Sequence, residues 1–171
     1  GDMKKLDASE FPVLNMLNTR YFIFPLQGGQ TAPLPNPFAL GNAWFVDEVQ
    51  YVSNANEEIE AIHGLNPQQT AVVDKKFESI VKSIPSDAMD TIELVAYEPN
   101  YLKYEVDSEK GGTVVFSEIY YPGWQSTIDG QEAAHGRANY ILRAMNVPAG
   151  KHVVEFRFDP KSLHTTETIA F

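Results

Sequence analysis

The chain has 171 residues, enough for one domain with a real core, no cysteine, and a formal net charge of −10 from 23 acidic and 13 basic side chains. The missing thiols exclude disulfides, thiolate nucleophiles and zinc–thiolate sites. The acidic balance argues against a nucleic-acid partner, whose phosphates it would repel, and against adhesion to anionic lipid through a basic patch.

No apolar run is long enough to cross a bilayer, and no signal peptide is visible. Gly1 and Phe171 read as cuts through a longer protein, so the missing leader is not evidence for the cytoplasm. Asp7-Ala-Ser-Glu10 has capping-box spacing, with Phe11, Leu14 and Leu17 following at helical intervals, which predicts a short helix over about residues 8–18. Arg20 to Phe24 is a β-prone run stopped by Pro25, and Gln27 to Pro37, rich in glycine and proline, reads as a loop. Ala43 to Val52 predicts one strand covered on both faces. Asn54, with Glu57 three residues on, opens a second helix that Gly64 closes, with Ile59 and Ile62 on its buried side. Ala71-Val-Val predicts a short strand, and Phe77, Ile80 and Val81 share a face of a helical turn.

The pattern sharpens from Asp90. Thr91–Glu98 and Tyr101–Asp107 are strands joined across Pro99-Asn100; Leu102, Tyr104 and Val106 alternate with Lys103, Glu105 and Asp107, the mark of a half-buried strand. Gly111-Gly112 leads into Thr113–Tyr121, and Trp124–Ile128 follows Pro122-Gly123. Asp129-Gly130 is a two-residue hairpin signal, because both central positions of that turn need positive φ. Asn139–Val147 and Lys151–Asp159 predict a last hairpin across Pro148-Ala149-Gly150. Frequent turns between short alternating runs predict a mainly β fold, an antiparallel β-sandwich of jelly-roll or carbohydrate-binding-module type, with a few short helices in the N-terminal third. One domain spans 1–171, with a helix-containing part over 1–89 and a β-meander over 90–160.

Few residues carry candidate chemistry. Tyr120, Tyr121 and Trp124 flank a Pro-Gly corner near Glu118 and Asp129, and aromatic faces beside carboxylates suit sugar rings. These five are the candidates for glycan contact, although neighbouring strand residues diverge, so Tyr120 and Tyr121 cannot share a site. The plainer reading puts Trp124 in the sandwich core. Arg137 and Arg143 are candidates for an anion such as a lipid phosphate, with ion pairing in an acidic protein as the duller alternative. Glu57 and Glu58 fall in a helix first turn, where negative charge suits the dipole. His63, His135, His152 and His164 have no metal-ligand spacing, so no metal and no cofactor is expected. A Gly-x-Ser-x-Gly elbow and a phosphate-binding glycine loop are both missing, and no catalytic residue is assigned.

Ser117 to Gly130 and Asn139 to His152, together with Leu14-Asn-Met-Leu-Asn-Thr-Arg-Tyr21, Asn36-Pro37, Gly41-Asn-Ala-Trp-Phe-Val46 and Ala71-Val-Val-Asp74, resemble the extracytoplasmic domain near the C-terminus of YfhO-like bacterial membrane proteins. That family is similar to the C-type glycosyltransferases, many-helix enzymes that take sugars from polyprenyl-phosphate donors. The resemblance implies a soluble ectodomain on the periplasmic or outer side of the cytoplasmic membrane, non-catalytic itself because the catalytic acid lies elsewhere in such enzymes. In this reading the parent moves or modifies cell-envelope glycans, the domain either contacts acceptor glycan, an envelope polymer or a partner protein or else covers the membrane active site, and attachment to the membrane is through parts outside this chain. The competing readings are a free-standing secreted carbohydrate-binding module and a small hydrolase, which requires two carboxyl groups about 5–10 Å apart.

Overall fold

A computed structural model describes residues 11–160. The chain opens with α1 (Pro12–Met16), the strand pair β1 (Tyr21–Pro25) and β2 (Thr31–Pro35), then β3 (Ala43–Val46), β4 (Glu48–Val52), α2 (Ala55–Ala61) and β5 (Thr70–Asp74). A short 3-10 turn (Lys75–Phe77) follows, and then the strands β6 (Thr91–Glu98), β7 (Tyr101–Ser108), β8 (Gly112–Ile119), β9 (Trp124–Ile128), β10 (Gln131–Glu132), β11 (Gly136–Ala138), β12 (Leu142–Val147) and β13 (Gly150–Phe158). The fold is mainly β, as the alternation of the C-terminal half predicts.

Two antiparallel sheets face each other. One has the order β10-β9-β13-β7-β6, the other β11-β12-β8-β3. Leu102, Tyr104 and Val106 of β7 and Val154 and Phe156 of β13 point into the space between them, where they meet Val114 and Phe116 of β8 and Met145 and Val147 of β12. The outward residues of β7, such as Glu105 and Asp107, are exposed, which is the period-2 pattern of a half-buried strand. The second sheet is different. Its far face, with Trp44, Val46, Val115, Leu142 and Ala144, packs under Met16, Val49, Ile62, Ala71 and Val73. The four-stranded sheet is therefore the middle of three layers, and β8 reads apolar almost without interruption because water reaches neither face.

Local signals explain several elements. Asn54 caps α2: its Oδ1 accepts from the N–H groups of Asn56 and Glu57, while Glu57 accepts from the Ser53 N–H in return. Asp129 (φ 52°) and Gly130 (φ 77°) turn β9 into β10 in two residues. The capping box at Asp7–Glu10 and His164 lie outside the described residues.

The structure departs from the sequence reading in four places. The Ala43–Val52 strand breaks at Asp47. The N–H groups of Asp47 and Glu48 both donate to the Gln69 carbonyl, and this switches the chain from antiparallel pairing with β8 to parallel pairing with β5. The stretch expected as a loop contains β2. Pro25, Pro33 and Pro35 fit there because Leu26 N–H bonds to Gln30 and Asn36 N–H to Arg20, which places all three prolines at non-hydrogen-bonded positions where no ladder donor is needed. In α2 the inward residue is Glu58, while Ile59 is exposed. Finally, β12 and β13 are not a hairpin. β12 pairs with β8, β13 pairs with β7 and β9, and Pro148-Ala149-Gly150 carries the chain across the core. Met145 and Val147 need to face Val154 and Phe156 from opposite sheets, and a hairpin would lay them side by side.

Candidate functional site

The inner faces of the two sheets are apolar along most of their length, with buried Ser108 at one end of β7 and the charged side chains at the other. On β8, Val114 and Phe116 are followed at the same parity by Glu118; on β12, Val147 and Met145 are preceded by Arg143. Both sheets are irregular there. The β12–β8 register shifts between Leu142 and Arg143, and the β6–β7 register shifts between Leu94 and Ala96. The second bulge puts Tyr97 opposite the inward Leu102, which aims Tyr97 toward the same end of the sandwich, where it is 67 % exposed. A bulge bends its strand and re-aims a side chain, so the two bulges gather polar side chains at this end of the core, the mouth of the sandwich.

Arg143 is the centre of this mouth. It is fully buried; its Nε–H donates to the Ile119 carbonyl at 3.0 Å, and its guanidinium lies 4.1 Å from the Trp124 ring and 5.1 Å from that of Phe156. The indole face is a favourable seat for a desolvated cation. One guanidinium nitrogen, Nη1, has no partner among the described residues, and neither has the buried Tyr104 hydroxyl. Burial works against the charge of Arg143 and the nearby Glu118 works for it. Burial also pushes the Glu118 carboxyl up, with Arg143 opposing, and pushes the Tyr104 phenol up, with Glu118 adding to it. A guanidinium, a carboxyl and a phenol thus sense one another without hydrogen-bonding one another. The two unpartnered atoms are closed off from solvent, so an incoming polar group reaches them only when a neighbouring side chain moves aside.

His135 completes the wall. Its ring stands edge-on to Phe156 at 5.3 Å and Tyr120 at 5.7 Å. The Ser126 hydroxyl donates its single proton to the Ala133 carbonyl, so His135 Nδ1 at 2.7 Å carries the hydrogen that Ser126 Oγ accepts. Burial, with Arg143 adding to it, pulls the imidazole down to about 4. The unfolded chain, with an ordinary histidine near 6.5, binds the extra proton first. Stability contributed by neutral His135 is therefore present above about pH 6.5 and is lost as pH falls toward about 4. Glu58 and Glu118, both pushed up by burial, titrate in the opposite sense. The expected result is a difference: between pH 7 and about 4.5 the wild type loses about 2 kcal/mol more than His135→Gln in urea unfolding. Parallel pH profiles for the two proteins would contradict the buried neutral ring.

Of the residues singled out in the sequence, Glu118, Trp124 and Arg143 meet at the mouth. Tyr120 turns away to pack on Phe77 at 5.5 Å as well as on His135, whereas Tyr121 is exposed beside Phe158. Asp129 sits a strand length from Trp124, paired with His152 at 2.6 Å and accepting from the Val153 N–H. Arg137 is an ion-pair partner of Glu58 on α2, and the other Glu58 oxygen accepts the Tyr140 N–H at 2.8 Å. Sequence reading missed Tyr97, Tyr104, His135 and Ser126 at the mouth, and missed the burial of Glu58. Only the inward parity of Tyr104 signalled any of this.

A concavity of about 960 Å³ lies elsewhere, between α1, the chain after α2 and the turn at 139–141. Leu14, Leu40, Ile62, Leu65 and Ile141 line it, and among the described residues no acid, lysine or arginine does. Among the described residues no cluster of three metal-ligating side chains occurs.

The sequence model described as "Bacterial membrane protein YfhO" matches residues 63–170, more than half of the chain. The chain belongs to the YfhO family. Comparison with curated proteins and with solved structures gives no match. The YfhO match covers β5 to β13 and so contains every residue of the mouth, while α1, β1 to β4 and α2 precede it. Among the described residues no helix is long and apolar enough to cross a membrane.

Proposed function

We propose that this segment of a YfhO-family protein is a non-catalytic ectodomain, placed on the extracytoplasmic side near the C-terminal end of its parent. In this reading the parent transfers or modifies cell-envelope glycans, and the sandwich mouth holds a hydroxyl-rich stretch of the acceptor. One observation carries the reading: the buried Arg143 Nη1 and Tyr104 hydroxyl stand without partners beside Glu118. Sugar hydroxyls donate and accept at once, so they suit a site with free donors and a free acceptor, and exposed Tyr97 at the rim offers a ring face for sugar C–H groups.

The test is calorimetric titration of the chain with neutral trisaccharides of gluco, galacto and N-acetylglucosamine type. Saturable binding with a dissociation constant in roughly the millimolar range is expected, weakened about tenfold by Glu118→Gln and by Tyr97→Ala with the fold retained. Tyr104→Phe separates ligand binding from packing. It removes a buried hydroxyl without a partner, so it leaves stability level or raises it while weakening the sugar. No saturable signal with any trisaccharide, or a signal unmoved by all three variants, would leave the domain as a structural cover only.

A further inference from the structure

The β1–β2 pair stands apart from both sheets of the sandwich and forms a sheet of its own. Its root is fixed. Buried Asn36 donates from Nδ2 to Asn15 Oδ1 at 2.8 Å and to the Thr19 carbonyl at 2.7 Å, and Phe22 meets Phe11 with ring centroids 6.2 Å apart. Beyond the root and short of the Gln30-Thr31 tip the hairpin is apolar; among the described residues the face of Tyr21 and Ile23 is open, and the face of Phe22, Phe24 and Ala32 is half-buried except at Leu34. Tyr21 and Ile23, 62 % and 73 % exposed, lie on one face with Pro33 and Pro35 opposite them in register. Leu34, 48 % exposed, lies on the other face opposite Phe22. Leu26 adds an exposed side chain near the tip.

The charge pattern is as unusual as the exposure. From Phe11 to Val46 the chain has a single charged side chain, Arg20, and no acid, although 23 acids are present in the whole sequence. A strand pair with apolar residues on both faces cannot be covered by one flat protein surface, which reaches only one of them. A lipid headgroup region surrounds an inserted hairpin on both sides. Aromatic and aliphatic side chains on an uncharged backbone turn have a favourable seat at that depth. The prolines at non-hydrogen-bonded positions also blunt strand-to-strand pairing with a second copy.

We infer that the β1–β2 hairpin is a membrane-docking element that inserts into the lipid interface, holding the acidic sandwich beside the bilayer. This rests on membership of a membrane-protein family and on the hairpin's surface, and is independent of the sugar reading, which is tested without lipid. Insertion is driven by apolar burial while the rest of the chain repels anionic lipid. Neutral membranes are therefore the better target, and salt strengthens binding to anionic ones, the reverse of adsorption through a basic patch.

The experiment is flotation of the 171-residue chain with vesicles of phosphatidylcholine, and with vesicles that also contain phosphatidylglycerol, at low and high salt. Wild type is expected to float with phosphatidylcholine vesicles and to float less with the anionic mixture at low salt. Ile23→Asp combined with Leu34→Asp, one charge on each face, is expected to cut partitioning by at least about tenfold. Both positions are exposed, so the variant's circular dichroism and unfolding midpoint should match wild type. A second variant reports directly. Ile23→Trp is expected to blue-shift in fluorescence with vesicles and to be quenched by brominated lipid, against the two native tryptophans, Trp44 and Trp124, which pack in the cores. Wild type that fails to float, equal flotation of the charged variant, or an Ile23→Trp spectrum indifferent to lipid would each overturn the inference. So would a sedimentation result in which the hairpin is consumed in a stable dimer.

Discussion

Arg137→Met is expected to cost about 3–5 kcal/mol in urea unfolding at neutral pH, because it leaves the fully buried Glu58 carboxylate without its cation. Burial already pushes that carboxyl up, and only the Tyr140 N–H and Arg137 restrain it. The sign of the pH dependence follows. With the partner gone, protonating Glu58 relieves the penalty, so the cost of the substitution shrinks as pH falls below neutral. Glu58→Gln removes the charge and keeps an acceptor for Tyr140, so it is expected to cost less than Arg137→Met. The difference matters locally. Asn139 (φ 48°) and Tyr140 (φ 70°) are consecutive left-handed residues, a conformation that persists only where neighbours hold it. Asn139 is tied to Val72 twice, through its own N–H and through its Oδ1, and Tyr140 is tied to Glu58. A double-mutant cycle between Glu58 and Arg137 measures the pair. A coupling energy near zero would show that the guanidinium is not what makes the buried acid tolerable.

The Glu58–Arg137 pair also marks the boundary of what the sequence discloses. A first-turn glutamate on a short helix is well explained by the dipole, and nothing local distinguishes it from Glu57, which is exposed. What buries Glu58 is an arginine 79 positions away, a separation that no periodicity reports. The same holds for the mouth. Glu118 and Arg143 were visible as single candidates, and Trp124 as a core aromatic, but their meeting depends on β8 and β12 being neighbours. The Pro148-Ala149-Gly150 turn suggests instead a β12–β13 hairpin, because a tight turn between alternating strands has the same local chemistry whether it stays in a sheet or crosses the core. Signals that are complete within a few residues survive. Examples are the Asn54 cap with its Glu57 return bond, the Asp129-Gly130 turn, and the alternation of Leu102, Tyr104 and Val106. Strand β2 was hidden for a related reason. Two prolines in five residues argue against a strand unless each falls at a position with no ladder bond, and that parity is set by the partner strand.

Phe116→Ala is expected to destabilise the chain by about 3–5 kcal/mol, and Phe116→Leu by only about 1–2 kcal/mol. Phe116 is fully buried on the inner face of β8, with ring centroids 4.9 Å from both Tyr104 and Phe156 in edge-to-face contact. Those three rings come from three strands and two sheets, so truncating the middle one removes a ring from both interfaces and leaves a hole that well-paired strands cannot collapse to fill. The position also determines how the mouth is supported. Arg143 is the register partner of Phe116 across β12–β8, Glu118 is two residues further along the same face, and Phe156 touches both the Arg143 guanidinium and the His135 ring. The loss of packing should therefore reach His135. In Phe116→Ala the imidazole regains solvent, its depressed titration moves from about 4 back toward 6.5, and the acid-side loss of stability attributed to it flattens. Chemical denaturation gives the first quantity, and proton NMR titration of the His135 ring gives the second. A variant that loses several kcal/mol with His135 still titrating near 4 would show that the aromatic core and the polar mouth are independent of each other.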